Sequence, residues 1–527
     1  RSKTHKFKAE VQQLLDILVY SLYTDKEVFV RELVSNAADA LEKIRFQQAS
    51  GADVHDPDVE LAISITTDEE ARTITIADTG IGMSREELVD NLGMIAHSGS
   101  KAFLQRLDEA KEEEKDQKAR ANLIGQFGVG FYSSFMVADK VSVVTRRTDE
   151  EKATRWESTG DGEFEISDDQ RFLRGTTITL HLKPVDEDSG LEDFTRFEII
   201  ERIVKRYSNF VSYPIRAKRT RTAAQKDDPS QPTVEEVTLN SMQPIWTRPA
   251  AEVSDDEYNE FYKHIAHDWN EPADRLLLKA EGRIEYTSLI YLPSKAQFDL
   301  FFRDQEVGLQ LYVRKVLIKD RCEELLAPHL RFVRGVVDSA DLQLNVSREM
   351  LQQDRHITQM RRWISRKITD HLQKKMKEDR AGYTEFWREF GRVLKEGVGT
   401  QAEGADRLTG LLLFESSHSE EELSSLAEYV ERMPEDQGEI YYLTGESRAI
   451  VENSPQVEGF RERGYEVLYL VDPVDEFVVQ SLTEFEGKAL KSAARGTVDL
   501  DEKTDEASDE KKKRAGEYEG LLEGLKA

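Results

Sequence analysis

The 527-residue chain is 39% hydrophobic, enough for two to four domains with sizeable cores. Its 73 Lys and Arg against 102 Asp and Glu give a net charge of −29, which speaks against sequence-independent binding to nucleic-acid phosphates and against anionic membranes. The one cysteine, Cys322, excludes an intramolecular disulfide and a cysteine-based zinc cluster, and no apolar run approaches the roughly 20 residues that span a bilayer, so a reducing, cytoplasmic setting is expected.

Residues 9–23 carry Val11, Leu14, Leu15, Leu18 and Leu22 on one stripe of an opening helix. Residues 25–45 form a second, with Val30, Leu33, Ala37, Leu41 and Ile44 as its buried stripe. Thr24 and Glu27 have capping-box spacing, which predicts that the Glu27 carboxylate returns to the cap. Glu32, Asn36, Asp39 and Lys43 run down the opposite side. They are either a solvated face or a polar surface turned on a ligand.

A hairpin follows, in which Val59, Leu61, Ile63 and Ile65 alternate, 68–70 turn the chain, and Ile74, Ile76 and Asp78 share one face. A carboxylate beside two isoleucines is costly unless hydrogen bonds are donated to it. A capped Asp-Thr-Gly turn is the structural alternative. Between 88 and 130, glycines at 93, 99, 125, 128 and 130 bracket a charged insert at 111–120, a layout suited to a mobile lid. Strands resume at 140–146, 153–158, 163–167 and 176–183, and a helix at 194–210 closes a first domain. Helices on one antiparallel-dominated sheet make an α/β sandwich.

The boundaries expected are a first domain at 1–219, a short linker at 220–233 and a multi-part α/β region at 234–505, divided into 234–399 and 400–505. The larger part has strands at 283–292 and 309–318 and helices at 357–378 and 383–396; the smaller has strands at 440–443 and 466–470. A charge run at 503–513 and a helix at 516–527 read as the start of a further C-terminal domain, 506–527.

Three glycine-rich stretches accompany the Glu32 helix: Asp78-Thr79-Gly80-Ile81-Gly82-Met83, His97-Ser98-Gly99-Ser100-Lys101, and Gly125-Gln126-Phe127-Gly128-Val129-Gly130-Phe131. In this order and spacing they resemble the nucleotide-binding fold shared by gyrase-type topoisomerases, sensor histidine kinases, MutL and the ninety-kilodalton heat-shock chaperones. The similarity to the bacterial type of the last family runs from about residue 4 to the end. It implies a gyrase/histidine-kinase/MutL-type ATPase sandwich followed by an α/β middle domain, acting together as an ATP-driven chaperone with ATP/ADP and Mg²⁺ as cofactors.

The resemblance also assigns roles. Glu32 matches the general base, Arg31 a neighbour that holds it, and Asn36 the magnesium ligand, with Asp39 on the same face of the pocket. Asp78 matches the acceptor of the adenine amino group, Gly82 and Met83 its loop, Thr176 a second adenine contact through its hydroxyl, and Asn91 a ribose and phosphate contact. His97, Ser98, Gly99 and Lys101, and the amides of Gly125, Gln126, Phe127, Gly128, Val129, Gly130 and Phe131, match phosphate-binding positions. The chain departs from the family at His97, where lysine is common, and a neutral histidine weakens that contact.

In the second region, Asn345-Val346-Ser347-Arg348-Glu349-Met350-Leu351-Gln352 is by itself an ordinary loop-to-helix junction with Ser347 as a plausible N-cap. The resemblance makes it a catalytic loop, with Arg348 on the γ-phosphate and Gln352 supporting it. Trp246 falls in a stretch similar to the family's client-contacting surface, with a core position as the alternative. Client proteins and co-chaperones are the partners implied, with a homodimer for the full-length protein and a monomer for this chain. A DNA-acting ATPase of the gyrase or MutL type is the rival, and it requires a basic groove or a tyrosine-bearing catalytic domain. A sensor kinase requires a phosphoacceptor helix ahead of the ATPase domain.

Overall fold

A computed structural model describes residues 25–52, 54–94, 128–221, 233–282, 284–302, 307–342 and 355–494. The expected helix at 9–23, the lid insert, the loop at 345–352 and the segment 506–527 lie outside the described residues.

Helix α1, Val28–Ala49, is buried on nearly every side, with Val30, Leu33, Val34, Ala37 and Leu41 against the sheet. The start differs from the expected capping box. Glu27 takes Arg202 at 2.7 Å and Arg206 at 3.4 Å, while the Asp25 carboxylate accepts the Glu27 N–H, because two guanidinium groups outbid a backbone amide for that carboxylate. Thr24 itself is outside the described residues.

The sheet under α1 has eight strands: β1 Ile63–Asp68, β2 Thr73–Asp78, β3 Ala138–Arg146, β4 Ala153–Ser158, β5 Glu165–Asp169, β6 Gly175–Leu182, β7 Ile215–Arg221 and β8 Thr233–Thr238. Their spatial order is β5-β4-β3-β6-β2-β1-β7-β8, antiparallel throughout except for the β1/β7 pair. The register opposes Ile63 to Asp78 and Ile65 to Ile76, so period-two alternation does put Asp78 in line with Ile74 and Ile76 on the buried face. A short helix α2, Arg85–Gly93, follows, and α3, Phe197–Tyr207, packs Ile200, Ile203 and Val204 beside α1. Strand β8 is the edge of this sheet, paired residue for residue with β7. The sheet therefore extends past the 220–233 segment, and backbone pairing with β7 is the reason.

The second region has a five-stranded sheet built from β9 Pro272–Ala280, β10 Tyr286–Pro293, β11 Leu309–Val313, β12 Val316–Cys322 and β13 Arg334–Ser339, in the order β12-β11-β13-β10-β9. The single strand expected at 309–318 is two. Arg314 and Lys315 both have positive φ, +52° and +66°, and fold it into a tight hairpin without the glycine that normally signals one. Helices α4 Asp255–Ala266, α5 Arg355–Glu378 and α6 Arg380–Gly399 flank this sheet, and α5 and α6 share a core with it through Ile364, Ile368, Phe386 and Phe390. A third, six-stranded sheet holds Ile440–Thr444 beside Val467–Leu470 in parallel.

Trp246 is a core residue, 0% exposed. Its ring packs on Phe210 at 4.8 Å, Tyr312 at 5.1 Å and Phe261 at 5.6 Å, joining the apolar cores of the first and second regions. Its Nε1–H donates to Asp338 Oδ2 at 3.0 Å. Burial pushes the Asp338 pKa up, and losing that donor leaves the buried Oδ2 without its hydrogen bond while Oδ1 keeps the Lys315 N–H at 3.3 Å. Trp246→Phe is expected to lower stability by about 1–3 kcal/mol, read by chemical denaturation, while an unchanged midpoint would show that the bond contributes nothing.

Candidate functional site

Four elements converge on one face of α1. Arg31 and Glu32 are neighbours in sequence and almost fully buried, and Arg31 Nε and Nη2 both donate to Glu32 Oε1 at 3.1 Å. The guanidinium also lies 5.8 Å from the Tyr207 ring centroid, which fixes it from the side of α3. A buried ion pair is weak evidence for stability but strong evidence for orientation, since either partner alone would be an uncompensated charge. The second Glu32 oxygen faces the turn at Gly130. A Cβ at Gly130 would sit 2.3 Å from Glu32 Oε2, so only glycine lets this turn lie against the carboxylate.

One turn along, Asn36 is exposed, whereas Asp39 is 2% exposed. The solvated-face alternative thus fails for Glu32 and Asp39, while Asn36 is exposed and Lys43 half-buried. Next on the helix, Ala40 anchors the loop after β2. Its carbonyl accepts the Ile81 N–H at 3.1 Å, and a Cβ at Gly80 would come within 2.7 Å of Ala40.

Asp78 is thereby placed relative to Glu32 by main-chain contacts. Its Oδ1 accepts from the Gly80 N–H at 2.8 Å and the Thr176 N–H at 3.3 Å, while Arg171 Nη2 donates to the Asp78 carbonyl at 2.7 Å. The capped turn and the buried acceptor are therefore both present. Among the described residues, Oδ2 accepts no hydrogen bond and remains able to take an amine. Burial raises the pKa of Asp78 to about 6, with Arg171 and the Gly80 and Thr176 amides pulling the other way.

Thr176 is buried, and its hydroxyl meets that of Thr145 at 3.0 Å; Thr145 Oγ1 in turn accepts the Met83 N–H at 2.9 Å. Asn91, on α2, reaches the Met83 sulfur at 3.8 Å. Asp78, Met83, Asn91 and Thr176 thus form one connected wall. Thr145 and Arg171 were not found from the sequence. Each lies in strand or loop sequence with no local signal, and pairing across the sheet brings them in. Helix α2 did carry a legible signal, the Ser84/Glu87 capping box, which the structure forms in full.

The glycines around the site are required by the packing of the fold itself. At Gly82 φ is +69°, and a Cβ would lie 2.0 Å from the Arg146 carbonyl, so this glycine makes room for β3. Gly82→Ala is expected to lower stability by at least about 1–2 kcal/mol from the left-handed backbone alone, seen as a fall in Tm, and an unchanged Tm would show that β3 yields freely. Gly128 also has positive φ, +67°. Val129 is buried, and Phe131 turns its ring into the core against Trp156 at 5.5 Å. His97, Ser98, Gly99, Lys101, Gly125, Gln126, Phe127, Arg348 and Gln352 lie outside the described residues.

Family models match both regions. One described as "Histidine kinase-, DNA gyrase B-, and HSP90-like ATPase" covers residues 23–163, and one described as "Hsp90 protein" covers 222–527. Among curated relatives, the "Chaperone protein HtpG" of Mycobacterium avium (strain 104) is 48% identical over 99% of this chain and 81% of its own length. The proteins of that name from Nocardia farcinica and Streptomyces coelicolor are likewise 48% identical over 99% of this chain, which spans 80% and 81% of them. The first match is shared with DNA-acting ATPases; the second is not.

Proposed function

The chain belongs to the Hsp90 family, and from that premise we propose that α1 carries the hydrolytic centre of an ATP site whose adenine end is Asp78. The protein is an ATP-dependent molecular chaperone with a gyrase- and histidine-kinase-like ATPase domain, acting on client proteins. No helix among the described residues is long and apolar enough to cross a membrane.

One observation supports the catalytic assignment above the rest. Glu32 is clamped on one oxygen by Arg31 and has the other against Gly130, at the start of the turn that follows the lid. A base must be held in one orientation to take a proton from the attacking water, and this carboxylate is so held. In this proposal Arg31 positions, Glu32 orients the water and accepts its proton, and Asp78 takes the exocyclic amine of adenine on Oδ2. Thr176 and Asn91 line the adenine and ribose sides. His97, Ser98, Gly99 and Lys101, with the amides from Gly125 to Phe131, attend the phosphates.

Magnesium fits these residues in a limited way. Among the described residues no three acidic, histidine or cysteine side chains gather as a metal site, but Asn36, an exposed amide one helical turn from Glu32, has an oxygen to offer. Mg²⁺ is a hard cation that keeps several waters and binds phosphate oxygens, so one protein oxygen suffices, and when bound it would neutralise phosphate charge. We assign Arg348 and Gln352 to the γ-phosphate from the second region. Arg348→Ala is expected to lower turnover while leaving ADP affinity unchanged; equal turnover in a steady-state assay would remove it from the mechanism. A homodimer, co-chaperone partners and a cytoplasmic location complete the proposal. Comparing ATP turnover and ATP affinity between the parent and Glu32→Ala tests its centre.

A further inference from the structure

Away from the nucleotide site, a cavity of about 740 Å³ opens between helix α5, the turn at Pro328–Leu330 and the segment 400–407 after α6. Its charged lining is one-sided. Arg361, Arg362, Arg366 and Arg407 face it against a single acid, Glu403, on a chain whose net charge is −29. Glu403 is shared between Arg361, at 3.5 Å, and Arg362, while Arg407 pairs with Asp370. Arg366 forms no ion pair among the described residues. One cation is therefore left without a counter-charge, and two others divide one carboxylate.

Behind the wall, two of the lining residues carry buried polar atoms with no hydrogen-bond partner among the described residues, His329 Nδ1 and Ser365 Oγ. His329 is 3% exposed, and Gly397 of α6 holds its ring in place: a Cβ there would lie 2.7 Å from the His329 Cγ. Burial, with help from Arg331, lowers the His329 pKa to about 4, so near neutral pH the imidazole keeps one N–H to donate. A pocket lined by one arginine without a counter-charge and two that divide one carboxylate has the donors to receive an anion. The rest of the wall is largely apolar, with Trp363 at one side packed edge-on against Tyr286 at 5.4 Å.

We propose that this cavity binds a small organic anion, a phosphate or carboxylate group on an apolar body, with Arg366 and the Arg361/Arg362 pair taking the charge. Arginine presents planar paired donors that suit either head group, so the shared anionic chemistry is what the site selects. Trp363 and the apolar wall take the body.

The probes are 1-naphthyl phosphate, 1-naphthoate and uncharged 1-naphthol, titrated calorimetrically into the whole chain with ADP saturating. At least one anion is expected to bind saturably, with naphthol at least about tenfold weaker, because charge-assisted hydrogen bonds supply the difference. The tighter of the two anions identifies the head group. Arg366→Ala, at an exposed position that should leave the fold intact, is expected to weaken the anions about tenfold and leave naphthol unchanged, with an unaltered circular dichroism spectrum as control. Arg362→Ala should do the same to a smaller extent. The inference is overturned if neither anion binds at millimolar concentration, if naphthol binds as tightly, or if both substitutions leave the affinity unchanged.

Discussion

Glu32→Ala should bind ATP with the parent's affinity and hydrolyse it at least about 100-fold more slowly, the scale on which a positioned general base contributes. The argument rests on what the substitution removes. Glu32 does not hold up the adenine wall, which is tied to α1 through Ala40 and not through the carboxylate. Truncation does leave Arg31 without its partner, since both guanidinium bonds go to Glu32 Oε1 in a site only 2–3% exposed. Some loss of stability is therefore expected as well, of the kind that follows breaking a buried pair. Glu32→Gln separates the two effects. The amide oxygen can still accept from Arg31, but the group no longer accepts a proton, so stability should recover while turnover stays low. Calorimetric affinity and steady-state turnover, measured on the same preparations, decide the case; parent-like turnover in either variant would take Glu32 out of the mechanism.

Asp78→Asn should abolish adenine recognition, a loss of about 100-fold or more in nucleotide affinity. Oδ1 is already committed to the Gly80 and Thr176 amides, so the new amide must place its oxygen there. Its NH₂ then occupies the Oδ2 position and points a donor at the exocyclic amine, itself a donor, and a buried mismatch of this kind costs about 1–3 kcal/mol or more. The same geometry gives a pH signature. With its pKa raised to about 6, Asp78 is ionised at neutral pH and protonates as pH falls through that value. Affinity for adenosine, which carries no phosphate to confuse the titration, should therefore decline below about pH 6 in the parent. The effect on stability has the opposite sign: a raised folded pKa means that Asp78 favours folding below pH 3.8 and loses that contribution as pH rises to about 6. Flat adenosine affinity from pH 7 to pH 5 would mean that the carboxylate does not read the base.

Sequence alone determined what depends on spacing within one element. The period of α1 put Arg31, Glu32, Asn36 and Asp39 on one helix, and the period-two alternation of β2 put Asp78 in line with Ile74 and Ile76. Both rest on side-chain directions that the backbone repeats regardless of surroundings. The order of the glycine-rich stretches identified the family for the same reason, since order is a property of the chain.

What only the tertiary structure decided are choices between partners far apart in sequence. Glu27 had a local cap available and took Arg202 and Arg206, which α3 brings to it. Trp246 fitted a surface or a core equally well until Phe210 and Tyr312 closed over it from two regions. Gly82 was legible as part of a glycine-rich stretch, while the Arg146 carbonyl that packs where its side chain would be came only from the fold. Thr145 and Arg171 left no trace in their own segments, because a strand residue's neighbours are set by sheet order, and sheet order is settled by burial and backbone pairing summed over the whole domain.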